Sequence, residues 1–256
     1  MSSKIQKPLF REYIIASDLL KGFPVEIISP RIPHFHFLLA FASEDYVEDP
    51  NTKKKLGKGN FRATWDVKKF SPESIRNLKS EYGAKVVISL GGRGTDFPFN
   101  PQDKEIWIDN AKKSLQHIIT EQYKGPFGTV IDGIDINYEY IESSEEDFAH
   151  CIGKVIDYLK TLISVVSIAP SNLSFPITRS CSRLNQTVLT GSTTRFSTDP
   201  NDKGNISLEV FIEGALQLIS SASLSGIFVS DAQSSLDSEP SHYVEGKAQK
   251  LLTESD

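Results

Sequence analysis

Asp132-Gly133-Ile134-Asp135-Ile136-Asn137-Tyr138-Glu139 is the stretch on which the reading of this chain turns. A β-strand repeats every two residues. The odd positions Ile131, Gly133, Asp135, Asn137 and Glu139 therefore share one face, and Val130, Asp132, Ile134, Ile136, Tyr138 and Tyr140 share the other. One face is mostly bulky and apolar, while the other stacks an acid, an amide and an acid. Polar groups facing inward from a helix-covered strand are costly unless they serve one another or a ligand. The stretch is a candidate site, and Asn137 stands where a third carboxylate would complete the series.

Working outward, short apolar runs alternate with helical segments. Residues 10–16 and 35–42 (FHFLLAFA) read as strands. So do residues 85–90 (KVVISL), which run into Gly91-Gly92-Arg93-Gly94, and residues 165–169 (VVSIA). A helix is expected over 66–82, where Ser71-Pro72-Glu73 supply an N-cap, a first-turn proline and an early acid. Further helices are expected over about 103–123 and from Ser143-Ser144-Glu145-Glu146 to about Leu162. Continuous Val/Ile-rich strands separated by helices mark a parallel sheet buried on both faces, so the fold class is α/β. At 256 residues the chain fits a single (β/α)8 TIM barrel domain over 1–256, since such barrels average about 250 residues.

The pattern then breaks. Between Ser171 and Thr198, 12 of 28 residues are Ser or Thr, and neither helix nor strand period is visible. Regularity resumes with a helix over 207–222, a strand over 226–229 (GIFV) and a helix near 243–252. Five strands precede the break and one follows it, whereas a closed barrel of this kind needs eight. The barrel is expected to be incomplete, with part of the fifth to seventh β/α units missing or disordered around 172–195. Such a gap would leave unpaired strand edges.

Composition narrows the partners. A net charge of −5 and a pI near 5.6 argue against nucleic acid or an anionic membrane surface. No apolar run approaches the ~20 residues that span a bilayer. The opening MSSKIQKPLFREY has no apolar core of a secretory signal, so a cytoplasmic location is expected, with a storage compartment as the alternative. Cys151 and Cys181 make no disulfide framework and read as free thiols. The sequons at Asn172, Asn185 and Asn205 read as chance, and His34 and His36 as structural residues flanking a core strand. Hard cations favour oxygen ligands, but Asp135, Asn137 and Glu139 are spaced as a strand rather than a metal loop. Gly91-Gly92-Arg93-Gly94 matches no phosphate cradle and reads as a tight strand exit.

At SLGGRG and DGIDINYE the chain resembles glycoside hydrolase family 18, the chitinase family. The family's S-x-G-G is matched by Ser89, Gly91 and Gly92. Its D-G-x-D-x-D-x-E is matched by Asp132, Gly133, Asp135 and Glu139, with Asn137 departing. FREYI, FHFLLAFA, TWDV, VVISLGGRG, VVSIAPS and FSTDP are similar to the narbonin-type legume branch of that family. The resemblance covers residues 8–171 and, less closely, 196–252, and lapses over about 172–195.

The resemblance implies hydrolysis assisted by the substrate's own 2-acetamido group, an exception to the two-carboxylate scheme. Glu139 is then the would-be general acid, Asn137 replaces the acetamide-orienting Asp, and Asp135 is the inner acid of the series. Ser89, Gly91, Gly92 and Tyr13 become substrate-binding candidates. No metal and no cofactor are implied, and the partner is a chitin-like oligosaccharide bound by a monomer. Departures compound at Asn137, at Ser230-Asp231 where the family places a Trp, and at the sixth-strand Tyr and Asp expected within the break. The resemblance therefore implies an inactive homologue, either a storage protein or a binder of N-acetylglucosamine oligomers. An active family 18 chitinase is the alternative.

Overall fold

The structure, a computed structural model, describes residues 8–15, 20–169, 188–190, 226–229 and 240–253, with 212–213, 215–216, 232 and 236 between them. The chain opens with β1 (Leu9–Ile15), β2 (His34–Glu48), β3 (Lys55–Ala63), α1 (Pro72–Tyr82), β4 (Lys85–Gly92) and α2 (Lys104–His117). A small hairpin, β5 (Lys124–Gly125) and β6 (Gly128–Thr129), precedes β7 (Gly133–Tyr138), α3 (Glu145–Leu159) and β8 (Val165–Ile168). The later described elements are β9 (Val188–Thr190), β10 (Gly226–Val229) and α4 (Tyr243–Thr253). The strands form one sheet in the order β10-β1-β2-β4-β7-β8-β9, parallel throughout, with β3 antiparallel on the extension of β2. The sheet curls into a partial barrel with helices on its outer face, the expected α/β architecture.

Strand alternation divides the apolar residues into two layers. Phe37, Leu39, Val86, Ile88, Ile134 and Ile136 point outward into the main core, against Ile75, Leu115 and Ile156 of the helices. Tyr13, Leu38, Ala40, Val87 and Val165 point inward and form a much smaller cluster inside the barrel. Each fully buried Leu, Ile or Phe contributes about 1.5–3 kcal/mol, so the outer layer carries most of the stability. That leaves inward positions on the same strands free to hold polar groups.

Helix starts follow their caps. The Ser71 hydroxyl accepts the Ser74 N–H, with Pro72 in the first turn. Asp103 caps Ile106 and Ser144 caps Asp147 in the same way. Gly83 closes α1 in the left-handed conformation at φ 65°. The C-terminal part of the 103–123 helix is a π turn over Ile118–Gln122.

The structure departs from the sequence reading at three places. The helix expected from residue 66 begins at Pro72, because Asp66 Oδ1 accepts the N–H groups of Lys68 and Lys69 in a local turn. Ser71, ahead of a proline, is also extended at ψ 162°. No element is read from the sequence over residues 55–63, which form β3. Within the Ser/Thr-rich break, Val188–Thr190 form β9, paired parallel with β8. The rest of 172–195, most of the 207–222 helix, Ser230-Asp231, Cys181 and the three sequons lie outside the described residues.

Candidate functional site

Asp135, wholly buried on β7, is the centre of the inner face. Ser89 on β4 and Ser167 on β8 are its register neighbours on either side, so three adjacent strands aim polar groups at one point. The Ser89 hydroxyl donates to Asp135 Oδ2 at 3.0 Å, and the Ser167 hydroxyl donates to Oδ1. From across the barrel, Tyr13 donates its hydroxyl to Oδ2 at 2.7 Å. Arg11 brings Nη1 to 3.3 Å from Oδ1 and to 2.6 Å from the Ser167 hydroxyl. Four side chains thus satisfy one buried carboxylate, as a charge held in a low-dielectric interior requires. Burial and the Asp135 charge push the Tyr13 phenol well above its usual range. Burial, followed by the Arg11 charge, drops the His36 imidazole to about 3. A neutral His36 can accept from Arg11 Nη2, 3.5 Å from its Nδ1.

Asn137 shares the inward face of β7, two residues nearer the barrel mouth, and is half-buried. Its Nδ2 lies 3.5 Å from the Tyr13 hydroxyl oxygen. Glu139 follows the last residue of β7, and its Oε2 accepts the Gly94 N–H at 2.8 Å. Gly91 has φ 110°, and a Cβ there would sit 2.4 Å from the Asn137 carbonyl oxygen. The glycine pair is therefore a steric requirement of the β4 exit. Asp132, the first acid of the motif, points the other way: it accepts the Val86 N–H at 2.9 Å and pairs with Lys79 at 2.8 Å. It holds α1 to the base of β4.

A second buried carboxyl lies outside the predicted site. Glu44 on β2 is 3% exposed. Its Oε2 accepts from Trp107 Nε1 at 2.7 Å and the Gly59 N–H at 2.9 Å. Its Oε1 accepts from the Tyr138 and Tyr46 hydroxyls at 2.9 and 3.4 Å. None of these donors is cationic, so desolvation outweighs the hydrogen bonds and pushes the carboxyl up to about 7.

The structure brings Asp135, Asn137, Ser89 and Tyr13 together as one connected group, with Gly91 beside Asn137 and Glu139 at the strand end. Tyr13 is only 2% exposed, which makes it a partner of Asp135 beneath the mouth. Sequence reasoning passed over Arg11 and Ser167, and read His36 only as a structural residue flanking a core strand. Their signal was available, since each is a polar residue at an inward position of a strand otherwise buried on both faces. Glu44 carried no comparable signal. Among the described residues no group of three or more His, Cys, Asp or Glu is arranged to hold a metal, and no helix is long and apolar enough to cross a membrane.

No family model matches the chain. Chitinase 1 of Tulipa saxatilis subsp. bakeri is 36% identical over 168 residues, which are 63% of this chain and 50% of the tulip protein. The RuBisCO-associated protein of Glycine max is 33% identical over 181 residues, 67% of this chain and 57% of the soybean protein. The chain thus spans about half the length of the curated relatives it matches. Among solved structures, the catalytic domain of a family GH18 chitinase from the fern Peteris ryukyuensis superposes with a TM-score of 0.73 at 28% identity. The match covers 96% of this chain and 99% of the fern domain. Human YKL-39, a pseudo-chitinase with retained chitooligosaccharide binding properties, shares the fold at a TM-score of 0.58 and 11% identity, over 96% of this chain and 99% of YKL-39. With both motif strands in register and a matching barrel beneath them, the chain is chitinase-like, similar in sequence and fold to proteins of glycoside hydrolase family 18.

Proposed function

We propose that the chain is a non-hydrolytic chitinase-like protein that binds N-acetylglucosamine oligomers at the C-terminal mouth of its barrel. The observation that carries this reading is the neutral amide of Asn137, tied through Tyr13 to an Asp135 already paired with Arg11. A developing positive charge on a substrate would meet no free carboxylate at that position. Losing one preorganised electrostatic group costs about 10²–10³ in rate, and here the neighbouring acid is also neutralised by its own cation. YKL-39 offers a precedent on the same fold for binding kept without cleavage.

The direct test is turnover of N-acetylchitohexaose by the wild type and by Glu139→Gln. The reading expects no product from either protein above an enzyme-free control. Wild-type turnover that Glu139→Gln abolishes would establish an active hydrolase instead. A storage role is the second reading, favoured by the scarcity of sulfur, with two Cys and one Met in the whole chain. It calls for no ligand at all, and a cytoplasmic or storage-compartment location goes with it.

A further inference from the structure

The two oxygens of the buried Glu44 carboxyl meet different kinds of partner. Oε2 accepts from Trp107 Nε1 at 2.7 Å and from the Gly59 N–H at 2.9 Å. An indole and a backbone amide can only donate, so Oε2 is not where a proton can sit. Oε1 faces two hydroxyls, Tyr138 at 2.9 Å and Tyr46 at 3.4 Å. Ionised, Glu44 accepts from both. Protonated, it carries its proton on Oε1 and donates to one of the two, which must then aim its own proton elsewhere. Tyr138 is buried edge-on to the Phe99 and Phe148 rings, so turning it would strand a proton in the core. Tyr46 is half-buried and makes the longest of the four contacts. The bond that reverses is the one to Tyr46.

Tyr46 stands on the mouth side of the barrel. It lies beyond Ala42, where β2 leaves β4, and its ring packs edge-on against Phe97 with centroids 6.5 Å apart. Phe97 covers the β4 exit, since a Cβ at Gly92 would sit 2.5 Å from its ring. Among the described residues, the titratable groups that face Glu44 are Tyr46 of β2, Tyr138 of β7 and Cys151 of α3, while β3 and α2 present the Gly59 amide and the Trp107 indole. Burial, then the Glu44 charge, pushes both phenols up, and burial pushes the Cys151 thiol up to about 12. Those three therefore stay protonated near neutrality. Glu44, which burial pushes up to about 7, is the group that changes.

We propose that Glu44 and Tyr46 form a proton-gated hydrogen-bond donor at the rim of the barrel mouth: protonated Glu44 turns the Tyr46 O–H outward to a sugar oxygen, and ionised Glu44 draws it back inward. The proposal rests on the binding role given above and adds its pH dependence. The outward donor is present while Glu44 holds its proton and is lost as pH rises through about 7. By linkage, binding at neutral pH takes up protons.

Two measurements on the full chain test this. The first is calorimetric titration with N-acetylchitotetraose at pH 5 and at pH 8. The wild type should bind about three- to tenfold more tightly at pH 5, the worth of one hydrogen bond. Glu44→Gln, whose amide donates towards Tyr46 at either pH, should bind tightly at both. Tyr46→Phe should bind weakly at both. A merely structural Glu44 would not send the two variants in opposite directions.

The second measurement needs no ligand. The chain has two indoles, Trp65 and Trp107, and the Trp107 ¹H–¹⁵N signal is the one retained in Trp65→Phe. It should shift with a midpoint near pH 7 in the wild type and stay flat in Glu44→Gln. A titrating indole without oligosaccharide binding at either pH would overturn both the gate and the binding role. Equal affinity at the two pH values beside a titrating indole would overturn the gate and leave binding intact. An indole signal flat from pH 5 to 8 in the wild type would overturn the proton switch itself.

Discussion

The Arg11 guanidinium reaches across the barrel to Asp135, with Nη1 3.3 Å from Oδ1 and 124 positions between them in the sequence. Both side chains are nearly or wholly buried, so the pair must replace the water it has lost. The Ser89, Ser167 and Tyr13 hydroxyls supply the remaining bonds. The inner acid of the chitinase-type motif is therefore built into the barrel floor as half of an ion pair.

Removing only the cation should be severe. Arg11→Met leaves the Asp135 charge buried with neutral donors alone, and breaking one side of a buried pair costs about 3–5 kcal/mol. Urea denaturation should show that loss as a lower midpoint. Replacing Asp135 by Leu in the same chain should recover part of it. An Arg11→Met protein as stable as the wild type would show the pair to be dispensable.

Asn137→Asp should not confer hydrolysis. The new carboxylate would face a Tyr13 oxygen whose proton is already committed to Asp135, so two acceptors would compete for one donor. Release of reducing ends from N-acetylchitohexaose should stay at the level of an enzyme-free control. A measurable gain in rate would show that the missing charge was the decisive defect.

Glu44 should make stability depend on pH. Burial raises its carboxyl from the ordinary 4.5 to about 7, so the folded state holds the proton more tightly than the unfolded chain. The stabilisation is fully present below about 4.5 and is lost as pH rises through about 7, a change on the order of 3 kcal/mol. Glu44→Gln keeps an acceptor for Trp107 and Gly59, and the Tyr138 and Tyr46 hydroxyls can turn to accept from its amide. The variant should flatten this part of the stability profile between pH 5 and 8, measured by urea midpoints. An unchanged slope would exclude Glu44 as its source.

Gly91→Ala should disrupt the β4 exit. The added methyl would sit 2.4 Å from the Asn137 carbonyl oxygen, at a backbone φ of 110°. Strain in that region alone costs about 1–3 kcal/mol, and the backbone contact adds to it. Gly94→Ala is the control, since a Cβ there meets nothing within 4 Å, although its φ of 68° is also left-handed. Thermal unfolding should show a much larger loss at Gly91 than at Gly94.

What was legible in the sequence was periodic and local. Ser71-Pro72 showed the cap and first-turn proline of α1, although the helix was expected from residue 66, and the alternation from Gly133 to Tyr138 placed Asp135 inward and Ile134 and Ile136 outward. β3 was missed because two of its three buried positions are Gly57 and Gly59, which carry no apolar signal. They are glycines because Glu44 and Trp107 press against them, where a Cβ would lie 2.4 and 2.3 Å from the nearest atoms. β9 was missed because three residues in a Ser/Thr-rich stretch show no period. Arg11 was passed over because an ion pair spanning 124 positions leaves no trace in local spacing.

The most direct test of the account is a single calorimetric titration of the wild-type chain with N-acetylchitotetraose, followed by chromatography of the recovered sugar. The account predicts saturable binding and recovery of the intact tetramer. Shorter oligomers in the recovered sugar, or no heat of binding at millimolar ligand, would contradict it.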